Sequence, residues 1–169
     1  MAAEEAAVAE KALPWSRTCF VCGEGNPIGL GVRFVVEDGL VRVRTRLDPR
    51  FEGYPGRVHG GVITALLDET AGWACTVVVG RLCLTARISV RFLGPVPGGV
   101  PVEVIGEHLG SRGGFEQGRA RLVDAEGRVL ATAEGLFSPV KPDLHAAIVP
   151  ELRMPGRPAT PEDISGTGS

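Results

Sequence analysis

No excess of charge of either sign marks this chain: 18 Lys and Arg stand against 20 Asp and Glu, a formal net charge of −2. That balance gives no overall pull toward nucleic acid or an anionic lipid surface. Missing too is any apolar run approaching the ~18 residues of a membrane span. Met1 to Leu13 is rich in Ala and Glu and lacks the basic start and apolar stretch of a secretory signal. The expectation is a soluble, cytoplasmic chain. Nor is the composition that of a disordered protein, since 44% of its residues are hydrophobic. At 169 residues it can bury a proper core within one domain. No internal repeat is present.

Cysteine is sparse, with four in all. In a reducing compartment a disulfide framework is not expected. Cys19-Phe20-Val21-Cys22-Gly23 has the spacing of half a zinc site, but Cys75 and Cys83 do not make a second half. The two thiols therefore read as part of a turn leading into the first strand. Gly-Glu-Gly-Asn-Pro follows them and reads as loop, where a thioredoxin-like pair would open a helix. Neither metal nor cofactor is expected.

What the chain does have is the segment Val58-His59-Gly60-Gly61-Val62-Ile63-Thr64-Ala65-Leu66-Leu67-Asp68-Glu69. It is apolar on nearly every side, as in a helix buried all round, yet two acids sit within it. Ionised carboxylates are almost never buried without a partner. At least one of them is expected to face a solvated or ligand-filled site. The helix should run from about Gly60 to Val78.

Around it the patterns are those of strands. Residues 31–36 and 40–47 are joined by Glu37-Asp38-Gly39, a hairpin signal. Past Gly80 the period becomes two, with Leu84, Ala86, Ile88, Val90 and Phe92 on one side and Thr85, Arg87, Ser89 and Arg91 on the other. Residues 101–109, 115–123 and 128–137 are three further strand candidates, connected by Gly-rich or Asp-Gly turns. Residues 4–12 suggest a short helix, and the Pro-rich end from Ser138 a tail that drapes or stays mobile. The division expected is an N-terminal extension over 1–18, a domain over 19–140 and a tail over 141–169. Two strands, a long apolar helix and four strands in a meander imply an α+β architecture, one curved antiparallel sheet of about five to six strands wrapped round the helix.

Three parts of the sequence, in this order, resemble the hotdog-fold acyl-CoA thioesterases, and within them the phenylacetate-degradation (PaaI-like) branch. The first is Cys-x-x-Cys-Gly with Asn26-Pro27-x-Gly29-Leu30 and Phe34. The second is His59-Gly60-Gly61 with an acid nine positions after the His. The third is Leu84-Thr85-Ala86 leading to Phe92-x-Gly94-Pro95-Val96-Pro97. The resemblance implies that the amide of Gly61, with Gly60, polarises a thioester carbonyl, and that His59 supports that region. It implies Asp68 as general base or nucleophile and Thr85 as the hydroxyl positioning the acid or water. Some relatives carry Asn or Gln six positions before the His; here that position is Gly53, so the water-positioning role is open. Glu69 has no catalytic part in this picture and is expected to pair with Arg87 or Arg91, or to lie at a dimer edge.

The chemistry suits these residues. Amides in the first turn of a helix lack intrahelical acceptors and sit at the positive end of its dipole, so they can stabilise an oxyanion. His59 and Asp68, nine residues apart, are separated by about 13 Å along a helix. They cannot meet at one substrate carbon. A homodimer with two composite sites is the expected solution, as the resemblance also implies, and a tetramer built as a dimer of dimers stays open. Arg112 at a hairpin tip, and Arg87 and Arg91 on the central strand, are candidates for CoA phosphates. Phe51, Tyr54, Leu66 and Trp73 are candidates for an acyl tunnel. The competing function is a non-catalytic acyl-CoA binding or sensing protein. A hydratase would need a near-adjacent Asp/His pair, which this chain lacks.

Overall fold

A computed structural model describes residues 10–166 of the chain. In chain order the elements are β1 (Lys11–Ala12), β2 (Val35–Glu37), β3 (Leu40–Arg46), β4 (Glu52–Tyr54), β5 (Arg57–Val58), α1 (Gly60–Val79), β6 (Cys83–Phe92), β7 (Pro101–Arg112), β8 (Phe115–Asp124) and β9 (Val129–Pro139). After these come α2 (Pro142–Ile148), β10 (Arg153–Met154), β11 (Arg157–Pro158) and α3 (Pro161–Ile164). The main sheet is antiparallel with strand order β1-β2-β3-β7-β8-β9-β6. It has seven strands, one more than the upper expectation, because Lys11–Ala12 pairs with Val35–Val36. Residues 11 and 12 are thus strand where helix was expected; the rest of that expected helix, up to residue 9, lies outside the described residues.

Asp38 and Gly39 both take positive φ, 53° and 73°, which is the tight turn the Asp-Gly pair announced. His59 caps α1 at its start, and Gly80, at φ 65°, ends it by returning its amide to the Thr76 carbonyl. Leu66, Leu67, Ala71 and Cys75 are fully buried beneath the sheet. By length and composition α1 could cross a bilayer, which corrects the run-length reading, but in this fold most of it is core. The sheet admits the helix closely at Gly106 and Gly118. A Cβ at Gly106 would stand 2.5 Å from the Thr70 carbonyl oxygen, and one at Gly118 would stand 2.8 Å from Cys75 Sγ.

The first and last described segments belong to the same core. Leu13, Trp15, Val149, Leu152, Ala159 and Ile164 are buried in one cluster with the helix and sheet. Trp15 and Arg153 exchange backbone hydrogen bonds, and Gly166 donates to Val77 at the end of α1. The divisions expected at 18 and 140 therefore do not separate a folded domain from appended segments. The apolar residues that make this possible are spaced among prolines, so no periodicity announced them.

Candidate active site

The first turn of α1 presents His59, Gly60 and Gly61 at an open surface. His59 Nδ1 accepts the Gly61 amide at 2.9 Å. Among the described residues the Gly60 amide has no acceptor. Gly53 lies directly against the imidazole, since a Cβ there would stand 3.0 Å from His59 Cδ2. The position that some relatives fill with an amide side chain is thus against this histidine. His59, Gly60, Tyr54, Ile63 and Phe92 line a cavity of about 460 Å³.

Asp68 lies two turns further along and opens into a different cavity, of about 350 Å³. Thr85 Oγ1 donates to Asp68 Oδ1 at 2.9 Å. The simple alternation of β6 placed Thr85 with Arg87 on the wet face. A bulge accounts for the difference: Thr85 pairs with Phe137 and Arg87 with the adjacent Leu136, leaving Ala86 as the extra residue. The phase of the strand changes there, so Thr85 reaches the helix while Ile88 and Val90 still pack on the core. Burial pushes the Asp68 carboxyl above the usual carboxylate range, and the Thr85 hydrogen bond partly offsets that rise.

From Gly61 to Asp68 is seven residues of one continuous helix, about 10 Å along its axis. The amides and the acid of a single chain thus occupy separate concavities.

Beside Asp68, Glu69 turns to the N-terminal segment, not to an arginine. Cys19 Sγ lies 3.0 Å from Glu69 Oε2, and the amides of Val21 and Cys22 donate to the same sulfur at 3.2 and 3.4 Å. The expected pairing with Arg87 or Arg91 is absent among the described residues. Burial first, and the Cys19 contact next, push the Glu69 carboxyl up to about 8. The hydrogen bond from Cys22, with Glu69 and the two amides, holds the Cys19 thiol below its ordinary range, while that interaction and burial raise Cys22.

The thioesterase superfamily matches residues 55–131, from just before the histidine to the start of β9. The acyl-coenzyme A thioesterase THEM4 of Bos taurus is 32% identical over 122 residues, covering 68% of this chain and 49% of its own length. The crystal structure of a thioesterase superfamily protein superposes with a TM-score of 0.68 at 32% identity, over 72% of this chain and 60% of that one. The fold is the hotdog fold of the thioesterases. The PaaI protein of the E. coli phenylacetic acid degradation operon shares it, with a TM-score of 0.61 at 18% identity over 66% of this chain and 81% of that one. The chain spans about half the length of its curated relative from Bos taurus.

On this hotdog frame the three arginines are scattered. Arg87 and Arg91 are exposed on β6, and Arg112 is exposed at the end of β7. None lines the cavity of Asp68 or that of His59, and none is ion-paired among the described residues. The tunnel candidates also divide. Trp73 lines the Asp68 cavity and Tyr54 the His59 cavity, whereas Leu66 is fully buried in the core. Phe51 packs under the Arg50 guanidinium, 4.7 Å from its ring centre. Sequence reasoning missed Val140, Ile148 and Leu152, which the C-terminal segment contributes to the wall of the Asp68 cavity.

Proposed function

We propose that this chain hydrolyses an acyl-CoA thioester to a free acid and CoA, at a site assembled from two copies. Asp68 of one copy takes a proton from water whose oxygen attacks the thioester carbon. The oxyanion is held by Gly60 and Gly61 amides at the α1 start of the other copy. Collapse of the intermediate expels the CoA sulfur as thiolate. Direct attack by Asp68, followed by hydrolysis of the anhydride, is the second form of the same proposal. Thr85 orients the carboxylate in both. The carrying observation is that Asp68 with Thr85 and the helix-start amides face separate cavities of one chain. A partner running antiparallel brings one to the other, and the acyl-coenzyme A thioesterase of Bos taurus supports the reaction class.

The surface for such a partner is β6, the edge of the main sheet, with Leu84, Phe92 and the following Leu93 each more than half exposed. A long apolar edge strand is a ready template for pairing. Two such dimers back to back would give the tetramer. Arg87, Arg91 and Arg112, none of them ion-paired among the described residues, are the side chains to meet CoA phosphates. His59 leaves the Gly61 amide when the carbonyl oxygen arrives; catalytic hydrogen bonds often tighten only with substrate bound.

That same contact favours a second reading. An amide already satisfied by His59 suits a protein that binds acyl-CoA without cleaving it. Thiol release measured across acyl-CoAs of different chain length and aromatic character decides between them. Turnover of at least one, abolished in Asp68→Asn, supports hydrolysis. Tight binding of acyl-CoA without thiol release supports the second reading.

A further inference from the structure

Cys19 Sγ, Cys22 Sγ and a Glu69 carboxylate oxygen lie within 4.8 Å of one another, although Glu69 is 50 residues from Cys19 in sequence. We propose that these three side chains are a binding site for a thiophilic divalent cation of the zinc class, clamping the N-terminal loop to α1. The proposal is independent of the thioesterase reading.

Three features of the molecule carry it. The first is the donor set. Zinc takes thiolate at about 2.3 Å and carboxylate oxygen at about 2.0–2.2 Å, and tetrahedral angles then put the donors about 3.5–3.8 Å apart. The Cys19–Glu69 separation of 3.0 Å and the 4.8 Å limit on the group bracket that spacing, so adjustments of an ångström or so would seat the ion. Three protein donors with water as the fourth is the pattern of an open zinc site.

The second is the build of the loop. Val21 and Cys22 aim their amides at the Cys19 sulfur, a geometry that stabilises a thiolate. The turn closes through the Gly23 amide on the Cys19 carbonyl, and no side chain fits at Gly23: a Cβ would stand 2.3 Å from that oxygen. Leu30 and Val32 then return backbone hydrogen bonds to Phe20 and Val21, fixing the knuckle.

The third is Glu69 itself. It is half-buried on the core helix and belongs to no ion pair among the described residues. A carboxylate so placed carries a cost that a cation removes. The expectation that Cys19 and Cys22 lacked enough partners overlooked this donor, because no sequence spacing connects it to them. An ion here would also fix one wall of the Asp68 cavity, which Cys19, Cys22 and Glu69 line.

The full chain, stripped with chelator, is titrated with zinc(II) and with cobalt(II). The expected result is one ion per chain, a thiolate-to-cobalt charge-transfer band, and a rise in melting temperature by linkage. Cys22→Ser and Glu69→Gln should each weaken zinc binding by more than about 100-fold, beyond what losing an outer partner of a ligand costs. A Cys75→Ser/Cys83→Ser variant should bind as the parent does. Should Cys22→Ser fail to fold, alkylation of the parent protein gives the answer: zinc must slow modification of Cys19. Absence of the cobalt band, affinity unchanged in a folded Cys22→Ser or Glu69→Gln chain, or Cys19 alkylation indifferent to zinc overturns the proposal.

Discussion

Thr85 Oγ1 donates a hydrogen bond to Asp68 Oδ1 across the gap between strand β6 and helix α1, at 2.9 Å. The contact exists because the bulge at Ala86 changes the phase of the strand. It fixes the direction of a carboxylate that burial would otherwise bias toward its neutral form. Replacing Asp68 by Asn should lower thioester turnover by about 10²–10⁴. Thr85→Ala should lower it by about 10–100-fold, as loss of a hydrogen bond to a charged group does, and Thr85→Ser should restore most of that. Initial rates on one good acyl-CoA, with circular dichroism to confirm folding, check both.

Edge strand β6 should be the joint between copies. Lysines in place of Leu84 and Leu93 put charge on an apolar rim and oppose pairing. The parent chain is expected to run as a dimer or larger in light scattering, and the double variant as a folded monomer. Its thioesterase activity should fall with the loss of dimer. A fully active monomer would exclude the shared site.

Gly106→Ala should destabilise the fold without touching the site. The added Cβ meets the Thr70 carbonyl oxygen at 2.5 Å, so helix and sheet must separate. Overpacking of this kind costs about 1–3 kcal/mol, readable as a fall in denaturation midpoint. An unchanged midpoint would mean that the helix does not seat against β7 as described.

Acid should loosen the C-terminal cover through Asp163. Arg157 donates to both of its carboxylate oxygens, and Thr160 adds its amide and hydroxyl. The arginine first, and the Thr160 contacts after, hold this carboxyl well below the usual range. A carboxyl depressed on folding adds stability above its unfolded pKa of about 3.9, and that stability disappears as pH falls through the folded value. Asp163→Asn should therefore cost about 1 kcal/mol near neutrality, the size of a lost helix cap, and flatten the acid limb of the stability curve. Denaturant unfolding at pH 7 and at pH 3 separates the two effects.

Helix α1 and strands β6 to β9 were legible because their periods are regular and their turns carry Gly and Asp, but the order was not. Only β7, β8 and β9 form a meander, and β6, expected to open it, pairs with β9 at the sheet edge. That an acid inside this apolar helix faces a cavity was legible because such an acid demands a reason; the helix pattern did not separate Asp68 from Glu69, and both line the same cavity. Contacts between segments far apart in sequence were not legible. Nothing in the alternation of β6 places a bulge at Ala86, so Thr85 was assigned to the face opposite its partner. Glu69 was given to the arginines or to a dimer edge because charge pairing is the default for an acid; its neighbour here, Cys19, belongs to a loop without periodicity. Trp15, Val149 and Leu152 sit in Pro-rich or short segments, and only the folded chain shows that they close the core.

Mixing subunits tests the central claim most directly. Gly61→Val, whose side chain would crowd His59 Nδ1, and Asp68→Asn should each be inactive as homodimers. Unfolding and refolding them together should restore activity, because one of the two sites in each mixed dimer then has both an intact helix start and an intact acid. Mixed dimers that form but stay inactive would contradict a site shared between chains.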